Sequence, residues 1–222
     1  VVATALSLGR RPEDTIEAVD VAGYRSLIQA ATAAGVRRFI FMSALGAVPD
    51  SPVPLMAAKG ATESVLRASG MEWTVIAPNA FMDVWLAAVV AGPALSGHEV
   101  VYVGSGTRRH AFVHSRDVAA FTLSAVDSPA AANRYLPIGG PAAISIRDAV
   151  AIFERVVGRP VAHRGVASGE PVPGLPPFMA EMLATFDTFD SPMDMTELAT
   201  EFGISLTSVE AWAEGLVPVG AA

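Results

Sequence analysis

Lys59 is the residue of this sequence most suited to proton transfer. It is the only lysine, and the other 14 of the 15 basic residues are arginines, which solvate a surface about equally well. A lysine ammonium is compact and its pKa falls readily on burial, which suits general acid–base chemistry. The ordinary alternative is a solvent-facing lysine that pairs with Glu63, one helical turn further on. We predict that Lys59 is functional and lies on a helix after a proline-rich loop.

Two polar residues follow predicted strands. Ser43 ends the strand predicted over 36–44, and Asn79 follows the strand predicted over 73–78. Ligands of open α/β sheets bind at the carboxyl ends of the strands, so both side chains are candidates for binding. The ordinary alternatives are a serine that caps the next loop and an asparagine that caps the next helix. A nucleophilic Ser43 is disfavoured because no G-x-S-x-G turn surrounds it.

Four further residues are candidates for contact with a substrate. His110 and His114 lie four positions apart in a predicted strand, which would place both on one face. A metal would need a third ligand, for which Asp117 is nearest, and we favour structural or substrate-lining roles without a metal. Met82 and Trp85 begin an apolar helix face after Asn79. Their side chains either pack in the core or line a substrate pocket, and the sequence allows both roles.

Apolar segments of strand length alternate with helix patterns along the first 160 residues. Strands separated by helices predict crossover connections and a mainly parallel sheet, so the fold class is α/β, doubly wound and Rossmann-like. The segment 99–114 is predicted as two strands about a turn at Gly104–Gly106. The first helix, from Asp14 to about residue 34, has a capping-box spacing at Asp14 and Glu17. Its predicted apolar stripe consists of Ile16, Val19, Gly23, Leu27 and Ala30 or Ala31.

The alternation ends after Pro160. A further helix opens at Ser145 with Asp148, and a connection rich in glycine and proline follows it. We therefore predict a Rossmann-like domain over 1–160 and a small C-terminal region of short helices over 161–222 that covers the substrate.

Composition narrows the class of partner. The sequence is 52% hydrophobic with a mean hydropathy of +0.44 and has no cysteine, yet no apolar run is long enough to span a membrane. Residues 197–212 have the spacing of a DNA-binding helix-turn-helix, but 165–222 contain nine acids and no lysine or arginine. Phosphate contacts need cations, so nucleic acid is excluded as a partner. The start of the sequence shows no secretory signal, and a cytoplasmic location is expected by default.

Three segments together resemble the NmrA-like, atypical branch of the short-chain dehydrogenase/reductase superfamily. They are "EAVDVAGYRSLIQAATAAGVRRFIFMSALGA", "AAKGATESVLRASGMEWTVIAPNAFM" and "RRHAFVHSRDVAAF", and the resemblance covers roughly residues 1 to 160. It implies a Rossmann sheet that binds NADP or NAD beside the loop after the strand ending in "AP". The cofactor contacts that it implies are Thr4, Ala5, Ser43, Lys59, Pro78, Asn79, Ala80 and Phe81.

The sequence departs from the family pattern in two places. Leu55 stands where tyrosine-dependent members have the tyrosine of a Y-x-x-x-K pair, and leucine has no proton to give. The glycine-rich turn that holds a pyrophosphate is also absent, which weakens the cofactor assignment. The resemblance places Val1 at the start of the family's fourth strand. That strand lies inside the family's sheet, so residues 1–5 of this chain would form an edge strand. We expect a second copy, another chain or residues outside this sequence to complete the sheet.

The favoured function is an NAD(P)H-dependent reductase of an apolar carbonyl, quinone or enone. In it, Lys59 anchors the ribose or donates the proton, and Ser43 lies beside the reacting groups. Two alternatives stay open: a non-catalytic module that senses NAD(P) or binds a partner, and a cofactor-independent hydrolase or isomerase. The expected partners are a small-molecule substrate and a second copy of the chain.

Overall fold

A computed structural model of the chain describes residues 1–7 and 14–217. These residues form two compact units, Val1–Pro78 with Val118–Ile138, and Asn79–Asp117 with the chain from Gly139 onward. The strands are β1 (Val2–Ala3), β2 (Arg38–Met42), β3 (Glu72–Pro78), β4 (Val100–Val103), β5 (Arg134–Ile138) and β6 (His163–Val166). The helices are α1 (Tyr24–Ala33), α2 (Pro54–Arg67), α3 (Gly92–Ser96), α4 (Ser115–Asp127), α5 (Ile146–Val157), α6 (Pro177–Phe186), α7 (Thr196–Phe202) and α8 (Val209–Leu216). Two π-helical segments, Ile16–Gly23 and Met82–Ala91, lead directly into α1 and α3.

The first unit contains a four-stranded sheet in the order β1-β2-β3-β5, with every neighbouring pair parallel. Parallel strands need helical crossovers, which α1, α2 and α4 supply. All of the carboxyl ends therefore lie at one edge of the sheet. The α/β class with a mainly parallel sheet is confirmed.

Both faces of β2 and β3 carry apolar side chains, as strands covered on both sides require. Part of the core of the first unit forms where the first helix and α2 pack on this sheet. Tyr24 contacts Phe41 edge to face, with 4.8 Å between the ring centroids. The buried residues of this core include Tyr24, Ile28, Phe39, Phe41, Leu66 and Val75.

The start of the first helix differs from the prediction. Thr15 is the N-cap, and its hydroxyl accepts a hydrogen bond from Ala18 N at 3.1 Å, so the capping box at Asp14 and Glu17 is wrong. The predicted apolar stripe is also displaced by one residue. The side chains that this helix buries are Asp20, Tyr24, Ile28 and Ala31, while Leu27 is exposed. A pattern search cannot find this face because its first member is an acid.

The second unit contains a two-stranded parallel sheet of β4 and β6. Of the two strands predicted over 99–114, the first is confirmed as β4. The second is wrong, because β4 pairs with residues 163–166 and the chain beyond the turn makes only isolated bridges. The turn itself is confirmed: Gly104 and Gly106 have φ of +76° and +65°. These left-handed conformations favour glycine.

The helices of the second unit pack around an apolar core. The predicted helix start at Ser145 with Asp148 is confirmed: the two residues form a capping box at the start of α5, and Gly158 ends that helix in a left-handed conformation. Phe153 of α5 packs edge to face against Trp212 of α8. The predicted short helices after 160 are present as α6, α7 and α8. None of the helices in the described residues is long and apolar enough to cross a bilayer.

Candidate ligand site at the carboxyl ends of the parallel strands

Lys59 lies on α2 and is buried. Its residue surface is only 7% exposed, and Nζ donates a hydrogen bond of 3.0 Å to Met42 O at the carboxyl end of β2. The ammonium lies 5.3 Å from the centroid of the Phe41 ring, within range of a cation–π interaction. The solvent-facing alternative for this lysine is therefore wrong.

Burial lowers the pKa of Lys59 below its usual range, because desolvation disfavours the ammonium. Two carboxylates, Asp20 and then Glu63, oppose this effect by attraction. A lysine whose pKa is lowered gives up a proton more readily near neutral pH than a solvated one does. The side chain is therefore suited both to holding a ligand hydroxyl and to proton transfer.

Gly60 allows α2 to approach the loop after β2. A Cβ atom at this position would lie 2.3 Å from Val48 C and 2.6 Å from Pro49 N, which are backbone atoms that cannot move aside cheaply. Only glycine fits, and the close approach holds the neighbouring Lys59 against the end of β2. Gly60 was not among the predicted site residues, although a glycine inside a helix is a signal of close packing.

Ser43 lies just beyond β2 and is buried beside Glu63. Its hydroxyl donates a hydrogen bond of 2.6 Å to Glu63 Oε1, and Arg67 pairs with Glu63 Oε2 at 3.0 Å. Glu63 thus engages Ser43 and Arg67 rather than forming the surface pair that the sequence suggested for Lys59. Because the hydroxyl hydrogen points at a carboxylate, Ser43 can offer a ligand only its lone pairs in this arrangement.

The chain beyond β1 is held by the first helix. Tyr24 Oη donates to Ala5 O at 2.8 Å, and Ser7 N donates to Asp20 Oδ2 at 3.2 Å. Burial, helped by the charge of Asp20, raises the pKa of Tyr24 to about 12. This tyrosine is therefore a poor proton donor. Thr4 and Ala5, implied as cofactor contacts, are exposed after the end of β1.

Residues at the ends of three adjacent strands form the candidate site of the first unit. Pro78 ends β3, and its carbonyl accepts a hydrogen bond from Leu45 N at 3.0 Å. The residues that the topology brings to this edge of the sheet are Ala5, Ser7, Asp20, Ser43, Lys59, Glu63 and Pro78. Asp20 and Glu63 are polar site residues that the sequence analysis did not predict.

Asn79 opens the second unit and is bonded to a distant part of the same unit. Its Nδ2 donates to Ser191 O at 3.1 Å and to Ser191 Oγ at 3.0 Å, while Oδ1 accepts from Ala80 N at 2.7 Å. The N-cap of the following helix is Phe81, so the alternative in which Asn79 caps that helix is wrong. Ala80 is buried and Phe81 is half-buried.

His110 is a buried histidine with both ring nitrogens engaged. Nε2 lies 3.1 Å from Phe186 O, which can only accept, and Nδ1 lies 2.7 Å from Ser191 Oγ. Nε2 therefore carries the hydrogen in the neutral ring. Burial lowers the pKa of His110, which favours that neutral form.

His110 and His114 do not lie on a common strand. Residues 110–114 make only isolated bridges, so the predicted strand, from which a common face was expected, is wrong. His114 Nδ1 accepts from Arg116 N at 3.0 Å, and Asp117 accepts from Thr207. Across the described residues, no cluster of three histidine or acidic side chains is arranged to hold a metal.

Met82 and Trp85 lie on the π-helical segment after Phe81. Met82 is fully buried in the core of the second unit, and Trp85 packs edge to face on Phe186 with 5.0 Å between ring centroids. A cavity of about 20 Å³ lies nearby among Tyr102, His110 and Phe186. That volume holds about one water molecule, so it is no substrate pocket.

Comparison with known proteins gives one family match and several relatives. Residues 1–129 match a family model described as NAD(P)H-binding. An NAD(P)H azoreductase of Xenophilus azovorans is 33% identical over 138 residues, which are 62% of this chain and 47% of that protein. A photosystem II assembly factor, Ycf39 of Synechocystis sp., is 33% identical over 144 residues, covering 65% of this chain and 44% of that one. The chain thus spans about half the length of these curated relatives.

A solved structure shows the likeness of fold. The NADPH complex of an NADPH-dependent quinone oxidoreductase from Escherichia coli superposes with a TM-score of 0.74 at 22% identity. The match covers 97% of this chain and 74% of that one. The Rossmann-like α/β architecture predicted from the sequence is therefore confirmed.

Proposed function

Since the chain belongs to the NAD(P)H-binding family, in its NmrA-like, atypical short-chain dehydrogenase/reductase class, we propose that it is an NAD(P)H-dependent oxidoreductase. The observation that carries this proposal is the buried ammonium of Lys59 at the carboxyl edge of a parallel sheet. Open α/β sheets bind their ligands at that edge. The cofactor would supply the hydride. The residues of the chain would bind the cofactor, orient the substrate and protonate the reduced product.

Lys59 is the proposed ribose anchor or proton donor. Its ammonium carries three N–H donors, and Met42 O takes one of them. Reduction of a carbonyl or an enone leaves charge on an oxygen that needs a proton. Leu55 has none, and the phenol of Tyr24 has a pKa of about 12 and donates to Ala5 O. The lowered pKa of Lys59 makes it the better donor.

Further cofactor and substrate contacts are proposed on the same reasoning. In the first unit, Thr4, Ala5, Ser43 and Pro78 follow the strand ends, and Ser43 would accept a hydrogen bond from a ligand N–H or O–H. In the second unit, we assign Asn79, Ala80 and Phe81 to the cofactor. We assign Met82, Trp85, His110 and His114 to the substrate side. An aromatic side chain such as Trp85 suits a planar, apolar substrate.

The proposed substrate class is an apolar carbonyl, quinone or enone. An NAD(P)H azoreductase and an NADPH-dependent quinone oxidoreductase are among the similar proteins named above, and their names support an acceptor of this class. A second candidate function is a non-catalytic module that senses NAD(P) or binds a partner. Leu55 in place of a tyrosine favours it, as does the likeness to an assembly factor.

The outer edge of β1 is proposed as the contact with a partner, in the first instance a second copy of this chain. Val1 and Val2 are each about half exposed, and β1 is the end member of its sheet. An apolar edge with unpaired backbone groups recruits another strand.

The test titrates the purified chain with NADPH and NADH and follows the fluorescence of the nicotinamide. Binding, with cofactor oxidation on addition of a quinone, is expected for the reductase. Lys59→Met should weaken binding about tenfold, the loss of one charge-assisted hydrogen bond, while the matched control Arg25→Met on α1 should leave it unchanged. Binding without turnover would support the second candidate. If neither cofactor binds, the reductase and the sensor are both wrong.

A further inference from the structure

Asp20 is a buried carboxylate that no part of the proposed chemistry uses. It is 1% exposed and lies in the π-helical segment before α1. Its Oδ2 accepts a hydrogen bond from Ser7 N at 3.2 Å. Within residues 1–7 and 14–217, Oδ1 has no hydrogen-bond partner. A buried carboxylate in such surroundings is costly unless a positive charge compensates it.

The charges around α2 indicate which cation compensates Asp20. Glu63, the other buried carboxylate, already has the guanidinium of Arg67 at 3.0 Å and the hydroxyl of Ser43 at 2.6 Å. In the described part of the chain, Asp20 forms no ion pair within 4 Å, and its carbonyl is bonded to Thr62, three residues after Lys59 on α2. Of the two carboxylates that favour the charged form of Lys59 and so oppose the fall of its pKa, Asp20 has the larger effect. Lys59 and Asp20 are therefore two buried groups of opposite charge in this region, and neither forms an ion pair within 4 Å among the described residues.

Asp20 also links three segments of the candidate site. Its carboxylate accepts a hydrogen bond from Ser7 N in the chain after β1. Its backbone carbonyl accepts a hydrogen bond of 3.1 Å from Thr62 Oγ1 on α2, the helix that carries Lys59. One turn further on, Tyr24 binds Ala5 O in the same connection. A change at Asp20 is thus transmitted both to the end of β1 and to α2.

We propose that Asp20 is a positioning residue for Lys59: its buried carboxylate compensates the ammonium at the sheet edge, and its bonds to Ser7 and Thr62 fix the chain after β1 and helix α2 beside it. This inference rests on the proposed function, because its purpose is to keep Lys59 charged for the ribose or the reacting oxygen. The groups that act on the ammonium are the charges of Asp20 from the first helix and of Glu63 from α2, and the Phe41 ring and Met42 carbonyl from β2.

The single lysine makes a direct test possible. Selective labelling with ¹³C-lysine gives one side-chain signal, and its shift against pH reports the pKa of Lys59 without any ligand. Asp20→Asn keeps an acceptor for Ser7 N and removes only the charge. The midpoint of the Lys59 titration should therefore lie at a lower pH in this variant than in the wild type. Glu63→Gln should lower it less. Asp50→Asn, a surface acid in the loop before α2, is the matched control and should leave it unchanged.

An unchanged or raised midpoint in folded Asp20→Asn would overturn the inference. Near-ultraviolet circular dichroism checks the fold of each variant. Where Asp20→Asn does not fold, Asp20→Ser provides a neutral side chain with no amide to bury. The midpoint of the Lys59 titration should fall in Asp20→Ser as well.

Cofactor binding separates this inference from the proposed function. The affinity for NADPH, measured between pH 6 and pH 10, should decline at lower pH in Asp20→Asn than in the wild type, and Lys59→Met should remove that decline. A wild type that binds neither NADPH nor NADH overturns the reductase. If the wild type binds NADPH and its affinity declines at the same pH in Asp20→Asn, only the role of Asp20 is overturned.

Discussion

Two opposing effects meet at Lys59. Desolvation by the surrounding protein favours the neutral amine, and the fields of Asp20 and Glu63 favour the ammonium. The result is a lowered pKa, so the protonation state of this residue is sensitive to small changes nearby. The same two effects tune lysines that transfer protons.

The lowered pKa also predicts a pH dependence of stability. Between the pKa of Lys59 in the folded chain and its ordinary value of 10.5, the unfolded chain binds the proton more tightly. The free energy of unfolding contributed by Lys59 therefore rises with pH across that window. Urea denaturation at several alkaline pH values should show this rise in the wild type relative to Lys59→Met. A difference that stays constant, or falls, with pH would contradict the burial of the ammonium.

Ser43 shows how one contact changes the expected role of a residue. A strand-end serine can donate a hydrogen bond to a ligand carbonyl. Here the Ser43 hydroxyl donates to Glu63 instead, with 2.6 Å between Ser43 Oγ and Glu63 Oε1. Bonds of this kind between a hydroxyl and a carboxylate are about twice as strong as neutral ones. Ser43 is thereby prepared to accept from a ligand, and Glu63 fixes that orientation.

Among the elements, α2 depends on close contact with the loop after β2. Ala normally stabilises a helix interior by about 1 kcal/mol relative to Gly. At Gly60 the added methyl would meet Val48 C at 2.3 Å, so Gly60→Ala should instead lower the free energy of unfolding by about 1–3 kcal/mol or more. Urea denaturation measures the effect.

Gly215 of α8 is the matched control, because a Cβ added there meets no atom within 4 Å. Gly215→Ala should be neutral or stabilising. Equal effects of the two substitutions would contradict the packing of α2. Because Gly60 adjoins Lys59, Gly60→Ala should also weaken NADPH binding, which Gly215→Ala should not do.

At the scale of the whole molecule, the apolar edge of β1 predicts association. Val2 is 47% exposed and lies on the end strand of its sheet. Val2→Lys places a charge on that edge, a feature by which natural proteins prevent strand pairing. Size-exclusion chromatography with light scattering should show a dimer or larger species that Val2→Lys reduces to a monomer.

The control for this prediction is Val84→Lys in the second unit, where the valine is 49% exposed and lies on a helix. It should leave the assembly unchanged. A wild-type chain that is monomeric at all concentrations would show that the edge of β1 has no partner of its own kind.

The sequence by itself determined the architecture and the main candidate of the site. Alternation of apolar segments with helix patterns was enough for the parallel α/β class, since both patterns are local. Two predictions from local patterns were correct, the turn at Gly104–Gly106 and the helix start at Ser145. The strand predicted to carry both His110 and His114 was wrong, because residues 110–114 make only isolated bridges with distant parts of the chain.

Only the tertiary structure decided which polar groups meet. Ser43 and Glu63 lie 20 positions apart, and Ser7 and Asp20 lie 13 apart, so no spacing rule connects them. Nor could a local pattern pair β4 with β6, which are joined by some 60 residues of chain. The charge of Lys59 is set by the same kind of contact. Burial and the fields of neighbouring carboxylates depend on distances in space, and a sequence gives only distances along the chain.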